Sequence, residues 1–130
     1  DWTPAERKAA WRQLEAEFRP HITFDGIPYL EEGTRWQYQM HIYETPFYYI
    51  DYCLAQTAAL QFLLASRKDY DDAFHRYVRF LSQGGEKVFT ELLQEAGLRS
   101  PFQEGALQTV AQESEALLNE LERALSQETK

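Results

Sequence analysis

Four tyrosines and a histidine fall within the twelve residues from His41 to Tyr52, and this run has the side chains best suited to chemistry. If the run is helical, Tyr48, Tyr49 and Tyr52 cluster toward one side, because residues three and four apart are neighbours on a helix. His41 lies close enough in the chain to face the same space. Imidazole and phenol groups donate hydrogen bonds, so such a cluster suits a developing oxyanion or a peptide carbonyl.

The same tyrosines have a purely structural interpretation. A buried phenol hydroxyl needs a hydrogen-bond partner, so tyrosines often pack between two helices with their polar tips half in water. Spacing alone favours this packing layer over a binding surface. The two interpretations stay open at the level of residue pattern.

The other candidate groups favour structural roles. The three histidines, His21, His41 and His75, are scattered and belong to no HExxH motif. Because a zinc site needs three or four convergent ligands, no autonomous metal site is expected. Cys53 lies among apolar neighbours and is predicted to be a buried, inert thiol. Gly84-Gly85 could cradle an anion, but a lone glycine pair is more typical of a turn.

Composition bounds the class of protein. A chain of 130 residues is enough for one domain, and a net charge of −8 argues against nucleic-acid binding, which needs clustered Lys and Arg. No apolar run has the length of a membrane span, and no signal peptide is visible. The single cysteine excludes an internal disulfide and fits a reducing compartment. The start at Asp1, without methionine, is consistent with a piece of a longer protein.

Helix signals dominate the first third of the chain. Thr3-Pro4-Ala5-Glu6 reads as a capping box that opens a helix ended by Pro20. Residues 20–32 read as a loop with a possible short extended piece at 22–24. A second helix is expected from about Gly33 to Tyr43, with Trp36, Met40 and Tyr43 in one stripe.

The middle of the chain predicts a long helix opened by Pro46 and continuing to about Ser66. It is apolar on most sides, which is typical of a central, buried helix. The residues expected inside are Ile50, Leu54, Ala58 and Phe62. Asp69 should cap the next helix, whose apolar face is formed by Phe74, Tyr77, Val78 and Leu81.

The last third predicts two further helices. Gly84-Gly85 should break the chain before a short helix over 88–96, which Gly97 closes as a left-handed cap. Ser100-Pro101-Phe102-Gln103 reads as a second capping box, opening an amphipathic helix. That helix carries Val110, Leu117, Leu118, Leu121 and Leu125. The expected fold is all-α, with about six helices around the long central one.

A longer set of residues resembles a known family. The set is Glu31-Glu32-Gly33, Trp36-Gln37, His41-Ile42, Pro46-Phe47-Tyr48-Tyr49-Ile50-Asp51-Tyr52 and Leu54-Ala55-Gln56, followed by Tyr77, Gly84-Gly85, the segment from Glu91 to Gly97 and Ser100-Pro101-Phe102. In this order it is similar to the C-terminal part of oligoendopeptidase F, one of the thimet-oligopeptidase-like zinc peptidases. The resemblance covers nearly the whole chain.

The resemblance implies a bacterial, cytoplasmic, mostly helical zinc metallopeptidase that degrades short peptides. In that family an HExxH helix and a later glutamate hold the zinc, and a histidine and tyrosines line the opposite wall of the site. Residue by residue, it implies His41, Tyr49 and Tyr52 as catalytic groups. Tyr48 and Tyr43 are then substrate-binding, with Tyr48 also the alternative to Tyr49 if the alignment shifts by one residue.

The chain departs from the family pattern in two places. It has no HExxH, so the resemblance implies that the zinc ligands and the rest of the peptidase domain lie outside these 130 residues. A glycine-rich loop of thimet-like relatives is replaced by Glu44-Thr45-Pro46-Phe47, which removes any tyrosine contact from that loop. One wall of an active site should expose an apolar patch toward its missing partner. The alternative is a non-catalytic helical interaction module that kept the scaffold.

Overall fold

Every regular element in the computed structural model, which describes residues 1–128, is helical. That range contains seven α-helices and one 3₁₀ helix, with no β-strand, so the all-α prediction is confirmed. The α-helices are α1 (Pro4–Phe18), α2 (Pro28–Glu31), α3 (Met40–Glu44), α4 (Ile50–Lys68), α5 (Tyr70–Ser82), α6 (Phe89–Glu95) and α7 (Ala106–Glu128). The chain divides into two compact units, Asp1–Tyr49 and Ile50–Lys130. Among the described helices, none combines the length and apolar character of a membrane span.

The first helix starts as the sequence predicts. The Thr3 hydroxyl accepts a hydrogen bond from the Glu6 backbone N–H at 3.3 Å, and the Glu6 carboxylate accepts one from the Thr3 N–H at 2.6 Å. This reciprocal pair satisfies two backbone donors that a helix start leaves unpaired. Pro4 occupies the first turn, and α1 ends at Phe18, two residues before Pro20.

A close approach at Gly33 joins α1 to the rest of the first unit. Gly33 has φ +81°, and a Cβ atom there would lie 2.3 Å from the Lys8 carbonyl oxygen. Only glycine fits this contact, since any side chain would collide with the helix backbone. Two ion pairs flank it: Lys8 with Glu32 at 2.5 Å, and Arg35 with Glu15 at 3.6 Å.

The single helix predicted over 33–43 is wrong. A 3₁₀ helix spans Arg35–Tyr38, and α3 begins only at Met40, because Gln39 has the non-helical angles φ −87° and ψ 87°. The predicted stripe survives in part, since the rings of Trp36 and Tyr43 still stack with centroids 5.8 Å apart. The loop predicted over 20–32 contains α2, and residues 22–24 form no strand.

The central helix begins later than predicted and is less buried. Phe47 has φ +69°, a left-handed conformation that no helix continues through, so α4 begins at Ile50 instead of at Pro46. Ala58 and Phe62 are buried as expected, and Leu54 is partly buried. Ile50 is 56% exposed, so its predicted burial is wrong.

The core of the second unit lies along the second half of α4. Helix α4 packs on α5 and α7, and α5 contacts α6. The buried cluster consists of Ala58, Phe62, Leu93, Ala96 and Leu98. The Phe62 ring meets the rings of Tyr77 at 5.2 Å and Phe80 at 5.6 Å, both edge-to-face. These contacts fix α5 across α4.

Three of the four predicted boundary signals in the last half of the chain hold, and the Gly84-Gly85 break lies in the turn between α5 and α6. Asp69 caps α5 by accepting a hydrogen bond from the Asp72 N–H at 3.0 Å, and Gly97 follows α6 with φ +66°. The capping box predicted at Ser100 does not open α7. Gly105 has φ +73° directly before Ala106, and a helix cannot pass through a left-handed residue, so α7 starts after it.

The predicted apolar stripes exist, but many of their residues face outward. On α5, Phe74, Val78 and Leu81 are each about half exposed. On α7, Leu118 and Leu125 are each 65% exposed. Val110 is the buried member of the predicted α7 set, and on α5 the buried residue is Ala73, next to Phe74. The described part of the second unit therefore presents aromatic and aliphatic surface that its own core does not cover.

Candidate active-site wall

His41 lies between two tyrosine rings within the first unit. The Tyr48 ring stacks on the imidazole with centroids 5.6 Å apart and planes 20° apart. The Tyr49 ring meets it edge-on, at 4.9 Å and 69°. His41 is partly buried, whereas both tyrosines are exposed to about half of their surface. The imidazole is thus held in a defined orientation with two phenols beside it.

The turn after α3 creates this cluster. The Thr45 N–H donates to the His41 carbonyl at 3.2 Å, and the Tyr48 N–H donates to the Thr45 carbonyl at 3.1 Å. Between them Phe47 takes the left-handed conformation, which is unusual for a bulky side chain. The chain reverses here, and the residues that follow return to the imidazole of α3.

The structure corrects the helical interpretation of the tyrosines. Tyr48 and Tyr49 lie in the turn before α4, so they do not share a helix face with Tyr52. Tyr52 lies in the first turn of α4, in the second unit, and is 54% exposed. Tyr43 stacks on Trp36. The structure therefore brings His41, Tyr48 and Tyr49 together, while Tyr43 packs against Trp36.

A cleft of about 500 Å³ opens beside His41 within the first unit. That volume lies in the range of small-ligand sites. Its lining combines aromatic rings with cationic and amide groups: Trp11, Arg19, Arg35, Gln39, His41, Ile42, Phe47 and Tyr49. Two of the predicted site residues, His41 and Tyr49, therefore line a cavity.

Sequence reasoning missed the cationic side of this cleft. None of Trp11, Arg19 and Arg35 was among the candidate site residues of the sequence. Arg35 lies 3.6 Å from the Glu15 carboxylate, and no acidic group of the described residues pairs with Arg19. The buried indole N–H of Trp11 has no hydrogen-bond partner in the described chain. A signal was available: four of the nine arginines fall within the first 35 residues of an acidic chain.

The described chain does not supply a metal site by itself. In residues 1–128 no three His, Cys, Asp or Glu side chains converge as metal ligands would. The zinc that the family resemblance implies therefore does not fit the residues present here. Cys53 was predicted to be buried and is exposed, because the core covers only the second half of α4.

Comparison with solved structures gives two close matches. A PZ peptidase A, solved with an inhibitor, is 51% identical and superposes with a TM-score of 0.81, covering 91% of this chain. A proposed oligoendopeptidase F is 45% identical, with a TM-score of 0.82 and 92% coverage. This chain spans only 21% of the length of either protein. No protein-family model and no curated protein gives a significant match.

Identity near one half over nine-tenths of the chain, with the same helical path, extends well beyond a shared fold class. The chain is therefore related, in sequence and fold, to a segment of the oligoendopeptidase F peptidases.

Proposed function

We propose that this chain forms one wall of the active site of a zinc endopeptidase that hydrolyses short peptides. The observation that carries the proposal is the 51% identity with PZ peptidase A, together with the rings of Tyr48 and Tyr49 around His41. The wall residues are His41, Tyr49 and Tyr52, and Tyr48 and Tyr43 contact the bound peptide.

The wall acts by donating hydrogen bonds. When a nucleophile adds to the scissile carbonyl, the carbonyl oxygen becomes an anion, and a donor already aimed at that position stabilises the transition state more than the ground state. Stacking between rings holds the His41 imidazole in place before substrate arrives. Zinc would activate the nucleophile and polarise the carbonyl, and its ligands lie outside this chain.

The rest of the peptidase domain is the proposed partner of this segment. The relatives are more than four times as long, since about nine-tenths of this chain covers 21% of each. The half-exposed side chains of Phe74, Val78 and Leu81 on α5 offer the apolar surface that such a partner would cover. The complete enzyme is expected to act in the cytoplasm.

Metal removal in the full-length protein tests the proposed activity. We expect it to cleave an internally quenched peptide, to lose that activity on dialysis against a chelator, and to regain it with stoichiometric zinc. The isolated segment should hold no stoichiometric zinc and cleave nothing at the same concentration, because no ligand set converges in its described residues. One tightly held zinc per isolated segment, removed by His41→Ala, would overturn this assignment.

The second candidate function is a non-catalytic interaction module. The extent of half-exposed apolar surface on α5 and α7 favours it, because that surface suits binding without chemistry. In that case the full-length protein would bind peptides or a protein partner and leave the quenched peptide intact in the presence of zinc. Cleavage that depends on zinc decides for the peptidase.

A further inference from the structure

The cleft beside His41 contains cationic and donor groups that the oxyanion role does not use. We propose that this cleft binds the C-terminal carboxylate of a peptide that ends in an apolar residue. The inference rests on the proposed function in taking a peptide as the ligand, and it assigns the cleft a specificity. Arg19 is the group that pairs with the carboxylate.

Charge is the first support. The chain as a whole carries −8, yet Arg19 and Arg35 both line this one cleft. Glu15 lies 3.6 Å from Arg35 and balances one guanidinium, which leaves Arg19 without an acidic partner among the described residues. An uncompensated, partly buried guanidinium favours an anionic ligand, and its planar fork matches a carboxylate.

The balance of donors and acceptors is the second support. The guanidinium groups of Arg19 and Arg35 donate hydrogen bonds and accept none. A carboxylate, with two acceptor oxygens, fits this lining better than a neutral amide does.

Apolar surface is the third support and separates a peptide end from a bare anion. Trp11, Ile42 and Phe47 line the same cleft as the arginines. Ile42 and Phe47 are exposed at 45% and 93%, so they form an open edge that a side chain could cover. Inorganic phosphate would contact only the cationic part. A terminal residue with an aliphatic or aromatic side chain would use both parts.

Two matched probes test the proposal: acetyl-Ala-Phe with a free carboxylate, and the same compound as its C-terminal amide. Binding to the full-length protein is measured by isothermal titration calorimetry. Mass spectrometry on the same samples, together with an internally quenched longer peptide, reports hydrolysis separately. We expect the acid to bind at least about 10-fold more tightly than the amide, the size of one lost charge-assisted hydrogen bond.

Variants locate the site. Arg19→Gln should bring the affinity for the acid down to that for the amide. Arg19→Lys should restore part of the difference, because lysine keeps the positive charge but lacks the planar guanidinium that binds both carboxylate oxygens. Arg7→Gln is the matched control: it removes an exposed arginine of α1 that does not line the cleft, and it should leave the preference intact.

Each contrary outcome has a distinct meaning. Equal affinity for acid and amide, or no binding of either, overturns the carboxylate site, while continued cleavage of the longer peptide shows that the proposed peptidase function stands. A preference that survives Arg19→Gln places the carboxylate elsewhere and also overturns the proposal. If inorganic phosphate displaces the acid at equal concentration, the cleft binds anions in general and the peptide-specific site is overturned. Acid preference without any hydrolysis supports the cleft and contradicts the peptidase.

Discussion

At the scale of single residues, the site depends on the orientation of one imidazole. Offset-stacked and edge-on ring contacts are each worth about 0.5–1.5 kcal/mol beyond area burial, so two of them strongly restrict the His41 ring. The closeness of His41 to Tyr48 and Tyr49 was predictable, because they are near in the chain. The backbone path that brings them together was not predictable. Helical spacing placed the tyrosines on α4, whereas the left-handed conformation of Phe47 returns them to His41 on α3.

Phe47 offers the first prediction. Its side chain is 93% exposed, so packing contributes little, while the left-handed backbone costs a non-glycine residue about 1–2 kcal/mol. We expect Phe47→Gly to be more stable than Phe47→Ala by about 1 kcal/mol, since both lack the ring and only glycine is unstrained there. Thermal melting of the two variants measures the difference. If alanine is the more stable residue, as it is at ordinary φ, this turn conformation is wrong.

At the scale of elements, the sequence predicts which segments are helical more reliably than where they begin. Thr3 opens α1 because its capping box is complete, whereas Ser100 fails because Gly105 adopts a left-handed conformation that is incompatible with helix. The left-handed Phe47 likewise delays the start of α4 beyond its proline signal. Local propensity is a weak prior where tertiary contacts compete with it. Nothing in the sequence separated the buried Gln61 from Gln56, an exposed glutamine of the same helix.

Gln61 carries the second prediction. Its amide donates to the Arg99 carbonyl at 3.0 Å and accepts from the Arg99 N–H at 2.8 Å, and the residue is only 9% exposed. Gln61→Leu leaves two partly buried backbone groups unpaired, so we expect a loss of about 2–3 kcal/mol in unfolding free energy. Gln56→Leu, at an exposed position of α4, is the control. Similar denaturation midpoints for both variants would show that the two hydrogen bonds between Gln61 and Arg99 do not stabilise the fold.

The capping box of α1 provides a prediction with a pH dependence. Hydrogen bonds from the Thr3 N–H and hydroxyl lower the pKa of Glu6 below its ordinary value of 4.5. A carboxyl whose pKa is lower in the folded state than in the unfolded state stabilises the fold at any pH above the unfolded-state pKa. That stabilisation is lost as the pH falls through the folded-state pKa. We expect Glu6→Ala to melt below the native protein at pH 7, and the gap to close in acid. A gap that is unchanged at pH 2 would refute the linkage.

At the scale of the whole molecule, the amphipathic pattern identifies apolar faces without revealing what covers them. The stripe on α5 was predicted correctly as Phe74, Tyr77, Val78 and Leu81, yet its members are 42–56% exposed in the described chain. A sequence pattern reports the periodicity of burial and does not distinguish an internal core from an interface. The chain spans only 21% of the length of PZ peptidase A.

The exposed apolar face of α5 leads to the fourth prediction. Val78→Lys should destabilise the full-length protein by about 2 kcal/mol or more, because it buries an unpaired charge, and should change the isolated segment by less than about 0.5 kcal/mol. Arg79→Gln changes the charge at the next position of α5 and should have little effect in either form. Equal effects of Val78→Lys in both forms would show that nothing covers this face in the complete protein.

Kinetics of the full-length protein tests whether the phenols and imidazole of this chain stabilise a transition state. We expect Tyr52→Phe to lower kcat by about 10²-fold or more, the scale of one lost oxyanion donor or about 3 kcal/mol, with zinc content and melting temperature nearly unchanged. Tyr49→Phe and His41→Ala should follow in the same direction, and Tyr70→Phe, on α5, should not. Normal kcat in all three wall variants, with a stability loss of about 1 kcal/mol from a broken internal hydrogen bond, would contradict the active-site wall.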